Sequence, residues 1–167
     1  MEISAEKVKE LRQKTGAGVM DCKKALTEAG GDFDKACALI TERGLLIAKK
    51  KSDRVAEQGL IECYVHTGNH LGVMVEVNCE TDFVARTPEF KDLAHNIALQ
   101  ISAMCPQYVS ADEIPAGVEV DKQVACLLHQ PFIKDPAKSI QDIITETVAK
   151  TGENIKVRRF VRYELGY

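Results

Sequence analysis

The hydrophobic spacing of this chain changes character at Gln58, and that change limits what it can fold into. Before Gln58, apolar residues recur three and four apart, the period of a helix face. From Gln58 they first alternate, the period of a half-buried strand. The first 44 residues predict three short helices. Ser4 is a good N-cap, with Ile3 and Val8 placed as a hydrophobic staple; Val8, Leu11 and Thr15 share one stripe, and Gly16 stops the helix. The second helix carries Cys22, Ala25, Leu26 and Ala29 and ends at Gly30-Gly31. Asp32 caps the third, whose stripe is Phe33, Ala36, Cys37 and Ile40, with Gly44 as its expected end. Leu45–Ala56 then reads as a helical or frayed connector carrying Lys49-Lys50-Lys51.

The alternation predicts a hairpin. Leu60, Glu62, Tyr64 and His66 alternate with Ile61, Cys63 and Val65. After the turn at Thr67-Gly68-Asn69-His70 comes the set Leu71, Val73, Val75, Val77 and Cys79. A third strand is expected near the C-terminus, with Ile155, Val157 and Val161 facing one way and Lys156, Arg158, Phe160 and Arg162 the other. Helices fill the interval. Thr87 with Pro88 opens one whose face runs Phe90, Leu93, Ala94, Ile97, Ala98 and Ile101, before Pro106. A short helix is expected around Val120–Leu128. Ser139 with Asp142 resembles a capping box for the stripe Ile140, Ile143, Ile144, Thr147 and Val148, which Gly152 ends. The expected fold is α+β: a three-helix domain with its connector over residues 1–52, then a core over 53–167 with a three-stranded antiparallel sheet and helices on one face. The other face is expected to show Leu60, Tyr64, Met74 and Phe160 among Glu and Arg. Either a second copy of the chain covers it, or Arg stems shield its aromatics; we favour the homodimer.

Charge divides along the same boundary. Residues 1–56 hold 12 Lys and Arg against 9 Asp and Glu; the rest hold 10 against 16. The net charge of −3 argues against a dedicated nucleic-acid coat, and three adjacent lysines make a weak electrostatic footprint. No apolar run is long enough to span a bilayer, and charges interrupt the first residues where a signal peptide would need an apolar run, so a cytoplasmic protein is expected. Six scattered cysteines without a C-x-x-C pair, and four histidines without ligand spacing, predict structural thiols and neither metal nor cofactor.

No phosphate-binding glycine loop or nucleophile elbow is present. Glu80 and Asp82 lie in one turn, whereas acid–base carboxylate pairs come from separate elements around a pocket. Thr81 and Asp82 are placed to cap the turn that follows. What stands out in Cys79-Glu80-Thr81-Asp82-Phe83-Val84-Ala85-Arg86 is therefore Phe83, a large aromatic in a short connection, suited to anchoring a protein partner. Met20 points away from the stripe of its own helix. On position alone it is an ordinary exposed methionine or a contact at the tip of the helical unit.

The stretches KELRQKTGAGVMDCKKALTEAGGDFDKA (Lys9–Ala36), VNCETDFVAR (Val77–Arg86), QPFIKDPAKSIQDII (Gln130–Ile144) and GENIKVRRFVRYELG (Gly152–Gly166) together resemble elongation factor Ts, in that family's order and over more than half of the chain. The resemblance implies a non-enzymatic guanine-nucleotide exchange factor for elongation factor Tu, with an N-terminal domain of the ubiquitin-associated type. It implies that Phe83 is a wedge into the partner's G domain, with Asp82 as its polar neighbour and Thr81 and Val84 in the same motif. It implies a second contact through Arg12, Val19, Met20 and Lys23. This chain carries one copy of the sheet-bearing core, as in short family members that form homodimers. A helical segment found in many short members is expected to be missing between Pro115 and Gln130. Three rival readings from the residues are an adaptor binding ubiquitin-like or peptide partners through the three helices, an RNA-binding protein using Lys49–Lys51, Arg158, Arg159 and Arg162, and an enzyme using the scattered thiols. The first gives the Phe83 turn no role. The second lacks stacking aromatics beside its cations.

Overall fold

The computed structural model describes residues 3–166. Three helices come first: α1 (Ala5–Thr15), α2 (Val19–Glu28) and α3 (Phe33–Lys51). Ser4 accepts from the Lys7 amide and Asp32 from the Lys35 amide, so both capping side chains satisfy donors that the helices leave free. Gly16 ends α1 in the left-handed conformation at φ 68°, donating its amide to the Arg12 carbonyl at 2.8 Å. Val8, Leu11, Cys22, Ala25, Leu26 and Ala36 form the buried cluster of this unit, with Ile3, Phe33, Cys37 and Ile40 packed against it.

Gly44 does not end α3. It is buried and helical, and a Cβ there would stand 3.2 Å from the Cβ of Ala149. The glycine serves close packing against a neighbouring helix, and the expected connector continues α3 as far as Lys51. Ala48, one turn on, packs against the second hydrophobic cluster, so α3 reaches from one cluster to the other.

That second cluster lies under an antiparallel sheet of order β1-β2-β5, formed by β1 (Gln58–Val65), β2 (Leu71–Cys79) and β5 (Lys156–Glu164). Between β2 and β5 come the one-turn α4 (Asp82–Ala85), α5 (Pro88–Met104), the short α6 (Lys122–Ala125), a small hairpin of β3 (Pro131–Phe132) and β4 (Asp135–Ser139), and α7 (Ile140–Thr151). The class is α+β. Val73, Val75 and Val77 of β2 meet Phe90, Ile97 and Ile101 of α5 and Ile140, Ile144 and Val148 of α7. Each fully buried side chain of this size stabilises by about 1.5–3 kcal/mol. Ser139 and Asp142 form a complete capping box at the start of α7. The short helix expected around Val120–Leu128 is one turn of α6 followed by a 3-10 turn at Leu127–His129. The buried Gln130 donates to the carbonyls of Met104 and Val124, and Gln100 donates to Gln130 and to the Pro131 carbonyl. These amides tie the irregular segment down where no ladder does. The hairpin of β3 and β4 was not expected; its register breaks after a single pair.

The sheet faces require a correction. Paired residues of an antiparallel ladder share a face, and the register sets Leu60 opposite Val77, Glu62 opposite Val75 and Tyr64 opposite Val73. Tyr64 therefore points toward the helices. In β5, Val157 pairs with Val77 but Arg159 pairs with Glu76, leaving Arg158 as an extra residue. This bulge reverses the alternation, so Phe160, opposite Val75, also faces the helices. Of the four residues expected on the open face, Met74 lies there and Leu60, Tyr64 and Phe160 do not. The open face is formed instead by Ile61, Cys63, Val65, Met74, Val161 and Tyr163, with Ile61 59% and Tyr163 73% exposed. No helix among the described residues is long and apolar enough to cross a membrane.

Candidate functional site

Phe83 is the second residue of α4, and 78% of its surface is exposed. A four-residue helix has one inward side. Ala85 is buried there and Val84 packs against the core, which leaves Phe83 pointing outward. Thr81 caps the turn, its Oγ1 accepting from the Val84 amide at 3.4 Å. Asp82 pairs with Arg86 one turn on, Oδ2 to Nη2 at 2.9 Å. Thr87 accepts from the Phe90 amide and starts α5 directly afterwards. Two consecutive caps thus set the path of the chain on either side of the aromatic.

The strand side of the turn is held from elsewhere. Glu153, in the connection between α7 and β5, accepts from the Glu80 amide at 3.1 Å and the Thr81 amide at 3.0 Å through Oε2. It accepts from the Thr81 hydroxyl at 2.6 Å through Oε1. Cys79, just before, donates its thiol to the Thr81 carbonyl at 3.1 Å. Burial pushes that thiol up to about 11, with Glu153 acting in the same direction. Cys79 is a packed hydrophobe beside the turn rather than a nucleophile.

The second expected set lies on the helical unit. Val19 and Met20 open α2 immediately after Gly16-Ala17-Gly18, and Met20 is 62% exposed. Lys23 follows one turn later, also exposed, and Arg12 lies exposed in the last turn of α1. The structure thus presents Val19, Met20 and Lys23 on adjacent turns of one helix and Phe83 on another element of the other cluster. Sequence reasoning missed Glu153 and Asn154 as neighbours of the Phe83 turn, since they lie more than 70 residues away. It also missed Ile61, Val65 and Tyr163 on the open face. The hairpin turn carries a signal for the first two: pairing Val65 with Gly72 across it sends the even-numbered residues of β1 inward.

A family model described as "Elongation factor TS" matches residues 4–125. The elongation factor Ts of Heliobacterium modesticaldum is 49% identical, over 98% of this chain and 90% of its own length. That of Thermoanaerobacter sp. (strain X514) is 46% identical over 98% of this chain and 95% of its own length. That of Thermodesulfovibrio yellowstonii is 49% identical over 99% and 98%. The first of these alignments spans 194 positions against the 167 residues here, so at least 27 positions have no counterpart in this chain.

Proposed function

This chain belongs to the elongation factor Ts family, and from that premise we propose that it is the guanine-nucleotide exchange factor of elongation factor Tu. The observation that carries the reading is Phe83, a large aromatic left exposed on a turn that is capped and hydrogen-bonded on both sides. An exposed aromatic on a fixed turn suits a protein pocket, because little freedom is lost when it docks. Phe83 acts as the wedge, Asp82 as its polar neighbour, and Thr81 and Val84 shape the turn. Arg12, Val19, Met20 and Lys23 form a second contact on the G domain.

Exchange follows from linkage. A partner that binds the nucleotide-free form of the GTPase more tightly than the GDP form weakens GDP by the same factor. The nucleotide is held by backbone amides and by the charge of its magnesium ion. A wedge at one end and a helical grip at the other displace the elements that hold them. This protein makes and breaks no covalent bond in that process.

The two hydrophobic clusters support a division into a ubiquitin-associated-like domain with its connector, residues 1–52, and a core, 53–167. The open sheet face around Ile61, Val65, Met74 and Tyr163 supports a homodimer, and the translation-factor family supports a cytoplasmic location. The test is release of a fluorescent GDP analogue from elongation factor Tu. Substoichiometric amounts of this protein are expected to accelerate release by at least a hundredfold. Unchanged release from a cognate partner would refute the reading and favour an adaptor that uses the three helices.

A further inference from the structure

The connection between α7 and β5 does more than join two elements. Glu80 and Glu153 each accept from the backbone of the other's segment. While Glu153 takes the amides of Glu80 and Thr81, Glu80 Oε1 takes the amide of Asn154 at 2.7 Å. The ladder between β2 and β5 has its last pair at Asn78 and Lys156. The reciprocal carboxylates therefore lie beyond the sheet and extend no strand; what they fix is the entry to the Phe83 turn.

A third segment is held at the same place. Asn154 is buried, and its Nδ2 donates to the carbonyl of Ser52 at 3.2 Å and of Arg54 at 2.7 Å. Arg54 returns to Glu80, Nη1 to Oε2 at 3.3 Å. Ser52 and Arg54 follow directly on the end of α3. One buried amide and two carboxylates thus tie the Phe83 turn to the chain leaving the helical unit that carries Met20.

We propose that Glu80, Glu153 and Asn154 are positioning residues that keep Phe83 in its docking attitude and fix the turn to the end of α3. This rests on the exchange-factor reading for its consequence, but not for its geometry. If only a fraction of molecules holds the turn correctly, apparent affinity for the partner falls by that fraction, while the docked complex is unchanged. Loss of the clamp therefore raises the half-saturating concentration and spares the maximal rate.

The full-length protein and its Glu153→Gln and Asn154→Ala variants test this. Glu153→Gln keeps one acceptor but sets an amide donor where two backbone donors converge. Amide hydrogen exchange, read residue by residue, is expected to approach the rate of an unstructured chain at Glu80 and Thr81 in Glu153→Gln, with β2 and α5 unchanged. In Asn154→Ala the same loss is expected at Glu80, Thr81 and Val84, since both tethers to the connector go. In GDP release from elongation factor Tu, the half-saturating concentration of each variant is expected to rise by the reciprocal of the fraction of molecules whose turn stays closed, with the maximal rate retained. Protection at Glu80 and Thr81 that stays far above the unstructured rate would overturn the proposal, as would protection lost to that rate with an unchanged half-saturating concentration. If Glu153→Gln melts cooperatively throughout, Glu153→Asp replaces it; retained charge with shortened reach is expected to give the same pattern at smaller amplitude. Absence of acceleration by the unmodified protein would remove the exchange reading, and amide protection alone would then decide whether the clamp holds the turn.

Discussion

Phe83 is bought by nothing in its own fold: its ring lies outside both hydrophobic clusters. Replacing it by Ala is expected to change folding stability by less than about 0.5 kcal/mol in denaturant unfolding, as for surface positions generally. Glu80 behaves differently. The amide of Asn154, and then Arg54, hold its carboxyl below the ordinary carboxylate range against an opposing desolvation cost. A carboxyl whose folded value is depressed stabilises above its unfolded value, near pH 4.3, and loses that contribution as pH falls toward the folded value. Below about pH 4.3 the Glu80→Gln variant is therefore expected to lose less stability than the parent. Equal acid limbs in thermal melts would contradict this. The thiols offer a third check. Cys105 is exposed and Cys22, Cys79 and Cys126 buried, so at neutral pH Cys105 should react with a thiol reagent before those three, while Cys63 lies on the face assigned to the homodimer. Reaction at Cys79 in the folded protein would show that its burial is wrong.

At the scale of elements, short-range signals were legible and long-range ones were not. Ser4, Asp32, Thr87 and Ser139 were all readable as N-caps, because a cap needs only the residues that follow it. The broad face of α5 was readable for the same reason. Gly44 was ambiguous, since a glycine near a helix end either stops the helix or lets a neighbour approach, and only the presence of Ala149 decides. The bulge at Arg158 was invisible, because an extra residue is defined against the partner strand. It alone moves Phe160 from one face to the other. The site divided in the same way: Phe83 stood out within eight residues of sequence, whereas the carboxylate and amide that hold it come from a distant connection. Gly44→Val is expected to push α3 from α7 and cost about 1–3 kcal/mol, the usual penalty of overpacking, measured by denaturant unfolding. An unchanged midpoint would mean that the two helices are not in close contact there.

At the scale of the whole molecule, two surfaces have distinct tasks in this account. The open sheet face is the proposed homodimer interface, so Met74→Glu is expected to yield monomers in sedimentation at micromolar concentration without lowering α5 protection. A parent that sediments as a monomer would remove that interface. The Phe83 turn is the proposed exchange surface. The most direct test is the maximal rate of GDP-analogue release from elongation factor Tu at saturating concentrations of the parent and of Phe83→Ala, both folded to the same melting temperature. The account predicts that the variant still binds but that its maximal rate falls at least tenfold. A variant as fast as the parent would contradict it and move the work of exchange to Arg12, Val19, Met20 and Lys23.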